Sequence, residues 1–139
     1  MADMYPITAD WFEHDTDETS ASVSSAGRSL EVGKSHFLCG ICASCDMGTA
    51  VPPETVEVRI YHGPLFGAVN ILQFAFVSAT QYKDTTTNAS YAASTGGPLI
   101  HSFPTPIKIP EGRAITMTVG PVGTGTAVQI YATIWGFTR

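Results

Sequence analysis

The sequence has few charged residues and very few basic ones. Only 14% of its 139 residues are charged, and twelve Asp and Glu outnumber seven Lys and Arg, for a formal net charge of −5. An average globular chain has about 25% charged residues. Nucleic-acid binding needs Lys and Arg clustered against phosphates, so this composition argues against a nucleic-acid partner.

Long apolar runs are also lacking. No stretch reaches the roughly 18 apolar residues that predict a membrane-spanning helix, so we expect no membrane partner. The start, MADMYP, does not place a basic segment before an apolar one, and so no secretory signal is predicted. We therefore expect the chain to be made in the cytoplasm.

Cysteine is scarce, and its three occurrences are Cys39, Cys42 and Cys45. A C-x-x-C-x-x-C string suggests a metal or iron–sulfur site, which also needs a fourth ligand and a loop that turns the sulfurs inward. The surrounding residues predict a strand instead, in which Cys39 and Cys45 would lie roughly 20 Å apart and Cys42 would face the opposite side. We interpret the cysteines as small buried thiols, and we expect no metal and no other cofactor.

Motifs for catalysis are missing too. Residues 33–35 lack the glycine spacing of a phosphate-binding loop, and residues 15–19 do not continue into a calcium-binding loop. There is no Gly-x-Ser-x-Gly elbow. The histidines have no ligand-pair spacing; they are His14, His36, His62 and His101. We expect no enzyme activity and no catalytic residues.

Strand signals fill the chain from residue 28 onward, where short apolar runs alternate with Gly, Pro, Asn and Asp clusters. Strands are predicted at 29–32, 35–45, 54–61, 69–79, 99–103, 106–109, 113–119 and 127–138. In the last of these, Ile130, Ala132 and Ile134 alternate with Tyr131 and Trp135, which therefore face away from the core. Residues 28–139 are predicted to form an all-β antiparallel sandwich, an eight-stranded jelly roll.

Residues 1–27 are predicted to form an acidic, Ser-rich N-terminal arm. Six acids and no Lys or Arg lie in the first 18 residues, so the net negative charge belongs to this segment. A Ser-rich spacer follows at 20–27. The arm has one apolar cluster, with a short helix over 8–14 left open, and it is too small to build a core by itself.

The strand at 69–79 is apolar on both faces, which indicates burial on both. In so small a sandwich a second subunit could cover one face, so self-association is predicted through Leu72, Phe74 and Phe76. Tyr131 and Trp135 have three open interpretations: a protein interface, packing under the arm or a loop, or a stacking platform for a sugar.

The C-terminal third runs PIKIPEGRAITMTV over 106–119 and, after a Gly/Thr turn, AVQIYATIWGF over 127–137. It resembles the closing hairpin of small jelly-roll capsid decoration (cement) proteins of tailed bacteriophages, with an I-P-x-G turn, a Thr-rich strand and a final W/Y-G step. The resemblance implies a homotrimer on the capsid exterior that stabilises contacts between capsomers. Related sandwiches in phage tails, baseplates and head fibres leave a receptor- or glycan-binding module as the alternative.

Under that resemblance, the arm would dock on the major capsid protein. Its apolar side chains would become buried on the partner, and its acids would face a basic patch. The expected docking residues are Tyr5, Ile7, Asp10, Trp11, Phe12, Glu13 and Asp15, and the expected contacts between copies are Leu72, Phe74, Phe76, Tyr131 and Trp135.

Overall fold

A computed structural model describes residues 9–17, 23–49, 55–63, 68–77, 79–83, 90–92, 98–122 and 129–139. They form ten strands: β1 (Trp11–Asp17), β2 (Ser24–Arg28), β3 (His36–Thr49), β4 (Thr55–His62), β5 (Val69–Val77), β6 (Ala79–Lys83), β7 (Ser90–Ala92), β8 (Leu99–Lys108), β9 (Ile115–Pro121) and β10 (Gln129–Thr138). Among the described residues, no helix is long and apolar enough to cross a membrane.

The strands form two sheets that pack as a sandwich. Sheet I has the order β1-β10-β3. On the side of β3 away from β10, β8 pairs antiparallel with the first half of β3, and β6 pairs with its last residues, Asp46 to Thr49. β7 then pairs with β6. Sheet II has the order β2-β9-β4-β5. Apart from the inserted β6–β7 pair, the chain changes sheet after every strand except β4, which pairs with β5 in sheet II. The resulting orders, β1-β10-β3-β8 and β2-β9-β4-β5, are those of a jelly roll, which confirms the predicted fold.

The core lies between the sheets, and period-2 alternation builds it. The inward side chains of three central strands are 0% exposed: Val56, Val58, Ile60, Ile115, Met117, Val119, Ile130, Ala132 and Ile134. Each alternates along its strand with a partly or fully exposed neighbour. The predicted inward faces of these three strands are therefore confirmed.

The N-terminal strands correct the predicted arm. β1 pairs with β10 over its whole length, from Trp11↔Gly136 to Asp17↔Ile130, and β2 pairs with β9. The segment is a strand rather than the short helix left open at 8–14, and no strand forms at 29–32. Glu13 and Asp15 share the inward face of β1 with Trp11, and they are tolerated there because each has a partner on β2, Arg28 for Glu13 and Ser24 for Asp15. Residues 1–8 and 18–22 lie outside the described residues.

Two predicted strands, 99–103 and 106–109, are one strand in the structure. β8 continues through Pro104 and Pro106. Because β8 has only β3 as a strand partner among the described residues, it is an edge strand, where a missing backbone N–H is tolerated.

Candidate docking face

Sheet I carries aromatic rings on its outer face, where β1 and β10 run side by side. The register pairs Phe12 with Trp135, and their rings stack with centroids 6.3 Å apart and planes 24° apart. Phe12 is 66% exposed. A predicted docking residue and a predicted interface residue thus share one patch.

Trp135 lies flat against the sheet because the neighbouring strand has no side chain beneath it. Gly40 pairs with Trp135 across β3 and β10, and a Cβ on Gly40 would overlap the indole. The indole therefore rests on the backbone of β3, so its position is set by packing. This makes Trp135 a rigid part of the surface.

A second ring pair lies farther along the same two strands. His14 and Tyr131 stack with centroids 6.3 Å apart. The His14 ring is held on both sides, because Nδ1 lies 2.9 Å from the Thr133 hydroxyl and Nε2 lies 2.7 Å from the Thr16 hydroxyl. Both hydroxyls lie beside the rings.

A third pair of stacked rings lies near the C-terminal end of β10. Phe37 and Phe137 stack with centroids 4.8 Å apart, and the Arg139 guanidinium lies 5.0 Å from the Phe137 ring centroid. Phe37 precedes the fully buried Leu38 in β3 and so faces outward. We call this outer surface of sheet I the aromatic face; its rings are Phe12, His14, Phe37, Tyr131, Trp135 and Phe137.

Trp11 does not belong to this face, which corrects its predicted docking role. Its side chain is 5% exposed and lies in the core, where Gly136 leaves room for the ring. Its Nε1–H donates to the Thr138 hydroxyl at 3.1 Å. Tyr5 and Ile7 lie outside the described residues.

The three acids that were predicted to dock all have partners within the chain. Asp10 pairs with Arg139, and Glu13 pairs with Arg28, each at 2.9 Å. Asp15 accepts hydrogen bonds from the Ser24 hydroxyl at 2.5 Å and the Ser25 amide at 2.9 Å. These bonds, the Ser24 hydroxyl first, lower the pKa of Asp15. The acids thus connect β1 to β2 and to the C-terminus. They are not unpaired charges that face a basic partner.

The structure does not bring the other predicted interface residues to the aromatic face. Leu72, Phe74 and Phe76 belong to β5 in sheet II, pair with inward residues of β4, and pack partly buried against the core. Phe74 approaches His101 of β8 across the sandwich, with centroids 5.5 Å apart. Of the predicted contacts between copies, only Tyr131 and Trp135 lie on the aromatic face.

The three cysteines lie in β3, which confirms the predicted strand, but Cys42 is not fully buried as expected. Cys39 and Cys45 are buried, whereas Cys42 is half-buried on the opposite side of β3, in register with Thr133. A β-bulge at Cys39 lets Leu38 face inward and Gly40 face outward. In the described ranges, no three His, Cys, Asp or Glu side chains are grouped closely enough to hold a metal ion.

Sequence reasoning missed four contributors to this site: His14, Phe37, Gly40 and Phe137. None belongs to a sequence motif. Each contributes to the site because it contacts a side chain on the neighbouring strand. No period-2 apolar signal marks β1 in the sequence, because Trp11 shares its inward face with Glu13 and Asp15. No protein-family model matches the chain, and no curated protein matches it at a significant level.

Proposed function

We propose that the chain is a non-enzymatic virion structural protein, a capsid decoration (cement) protein. It binds the outer capsid surface as an oligomer and stabilises contacts between capsomers. The aromatic face is the observation that carries the proposal, because it displays an exposed ring, Phe12, beside Trp135 on a rigid sheet. The sequence resemblance of residues 106–119 and 127–137 to the phage proteins supports the same class of protein, but β9 and β10 belong to different sheets and do not form the expected hairpin.

The chemistry of this face suits a protein partner. Interface cores are enriched in aromatic residues and depleted in charged ones, and most of the binding energy comes from a few such anchors. Here the rings are already held, Trp135 by the backbone of Gly40 and His14 by two threonine hydroxyls. Little side-chain entropy is then lost when the face docks.

The proposed partners are the major capsid protein and further copies of this chain. Because Asp10, Glu13 and Asp15 are engaged within the chain, apolar burial rather than a basic patch drives the docking. The homotrimer remains a prediction from the resemblance. Localisation on the capsid exterior, after synthesis in the host cytoplasm, belongs to the same proposal.

Co-sedimentation with empty capsids, prepared from the phage that encodes the chain, tests the proposal. Phe12→Ala removes an exposed ring and should weaken binding about tenfold, which corresponds to about 1.4 kcal/mol. Val32→Ala is the matched control, because Val32 is 89% exposed and lies between β2 and β3 rather than on a strand of the aromatic face. If wild-type chain does not pellet with capsids, the proposal is wrong.

A deletion that tests the role of the N-terminal segment must be shorter than the predicted arm of 27 residues, because that arm includes β1. Removing residues 1–18 would delete β1 and, with it, the core side chain of Trp11. Removing residues 2–8 spares β1, so a loss of co-sedimentation would report on those residues alone. Binding that survives this deletion but not Phe12→Ala would assign docking to the aromatic face.

The same face favours a second function, a glycan-binding module of a phage tail, baseplate or head fibre. The hydroxyls of Thr16 and Thr133 lie next to the His14 and Tyr131 rings, and sugars are held by apolar surface with a few placed polar groups. A glycan array probed with wild type and Tyr131→Ala distinguishes the two. Array signal that Tyr131→Ala abolishes, without capsid binding, would favour the glycan module.

A further inference from the structure

Among the described residues, five strands border the two sheets, and they differ in how they are protected against pairing with another chain. An edge strand presents unpaired N–H and C=O groups, and proteins usually shield it with charges, prolines or short length. β1 carries Glu13 and Asp15, β8 carries Pro104 and Pro106, and β2 has five residues and ends in Arg28. The three-residue β7 is shorter still.

β5 has none of these three protections, and it is regular over residues 72–77; its pairing with β4 is interrupted only by a bulge at Ile71. Its nine residues, VNILQFAFV, include no charge and no proline, and among the described residues β4 is its single strand partner. On its outer side, Gln73 and Ala75 are exposed and uncharged. The backbone edge is therefore long, neutral and accessible within the described part of the chain.

The core is also incomplete along this edge. Leu72, Phe74 and Phe76 face inward opposite three β4 residues that are 0% exposed, yet they are themselves only partly buried. The aromatic contacts of His101 with Phe74 and Phe103 lie at the same side of the sandwich. A strand added next to β5 would cover these side chains and extend the hydrophobic core.

We propose that β5 pairs antiparallel with β5 of a second copy, so that two sheets II become one continuous eight-stranded sheet in a two-fold dimer. A two-fold axis brings the same patch of both copies together. The neutral edge meets itself without like-charge repulsion, which favours a second copy as occupant. This two-fold dimer is an alternative to the homotrimer that the phage resemblance implies, and the mass of the protein in solution distinguishes the two.

This pairing goes beyond the proposed function and does not depend on it. β5 borders sheet II, whereas the aromatic face is the outer surface of sheet I, so a dimer keeps both aromatic faces open. The dimer would present two docking faces to a shell. Solution mass in the absence of capsids tests the dimer, and co-sedimentation tests capsid binding, so that the two can fail separately.

Light scattering on the full chain is the first measurement. We expect twice the chain mass of 14.8 kDa, and a monomer or trimer would overturn the proposal. Gln73→Lys combined with Ala75→Lys places four cations along the paired edge of the dimer and should give monomers. Ser25→Lys combined with Thr55→Lys is the control, because both sites are exposed on sheet II but off the β5 edge; it should stay dimeric.

Hydrogen exchange on the wild type gives a test that needs no variant. In an edge strand, alternate amides point away from the neighbouring strand and exchange quickly. Pairing through β5 protects both sets, and dilution should return the outward set to fast exchange. Fast exchange of the outward set at every concentration, or dimers that survive the paired Lys substitutions, would overturn the proposal.

Discussion

The indole of Trp135 lies directly on the backbone of Gly40, its cross-strand partner. A Cβ on Gly40 would come within 2.8 Å of Cη2 and closer still to other indole atoms. Because residue 40 is glycine, no side chain projects from the outer face of β3 at this point, and the indole can lie against the backbone. Phe12 stacks on Trp135, so the position of the exposed Phe12 ring depends on Gly40, which lies two strands away in sheet I.

Gly40→Ala should push the indole off the sheet and destabilise the protein by about 1–3 kcal/mol, the usual cost of overpacking. Urea unfolding measures the change. Combining it with Trp135→Ala removes the clash, so the two costs should not add. Additive costs in that cycle would contradict the proposed contact between these residues.

Thr138→Val should destabilise the protein by about 2 kcal/mol, because it leaves two buried groups without partners. Thr138 accepts from Trp11 Nε1 at 3.1 Å and lies 2.8 Å from His36 Nδ1. His36 Nε2 donates to the Ser29 carbonyl at 2.7 Å, so in the neutral ring Nδ1 accepts from Thr138. Thr133→Val, which removes an exposed hydrogen bond to His14, is the control and should cost far less.

Asp15 should make stability depend on pH in acid. Its pKa in the folded protein is lowered from 3.8, chiefly by the Ser24 hydroxyl. A lowered folded-state pKa contributes stability in full above the unfolded-state pKa, near 3.9, and the contribution is lost as pH falls through the folded value. The difference in unfolding free energy between wild type and Asp15→Asn should therefore be constant at neutral pH and shrink below about pH 4.

Ser24→Ala serves as the comparison for this titration. It removes the largest cause of the lowered pKa but retains the Ser25 amide hydrogen bond. Its acid dependence should lie between those of wild type and Asp15→Asn. A wild-type profile that matches Asp15→Asn at all pH values would contradict the role of Asp15.

The three thiols should differ in reactivity. Cys39 is buried, and burial raises its pKa, so little thiolate forms at pH 8. Cys45 is 2% exposed, whereas Cys42 is half-buried on the outer side of β3. Iodoacetamide followed by mass spectrometry should label Cys42 first in the native protein. Cys42→Ser should remove the fast phase, and fast labelling of Cys39 would contradict the structure.

The sandwich itself could be predicted from local pattern. Alternation of apolar and polar residues in 54–61, 113–119 and 127–138 identified three strands and their inward faces, because the side-chain period of a strand is two. The jelly-roll prediction rested on eight such runs, yet one of them was wrong and two were halves of β8. The structure restores the count with β1 and β2.

The aromatic face could be predicted only in part. Tyr131 and Trp135 follow from alternation in the last strand, but Phe12 was expected on an arm and Trp11 on the same docking surface. The strand β1 separates them, with Phe12 outward and Trp11 in the core. From sequence alone, an acid-rich segment is interpreted as a solvated arm. The partners of its acids, which are Arg28, Arg139 and Ser24, come near them only when the chain folds.

The sequence by itself determined an all-β chain with few charges, neutral in its main part and acidic near its start. Local periodicity and composition suffice for these properties because each depends on neighbours along the chain. Tertiary structure decided what the acidic segment does, since pairing with β10 and β9 joins residues more than 85 positions apart. It also decided which edge stays unprotected, because β5 becomes an edge only through the order of strands in sheet II.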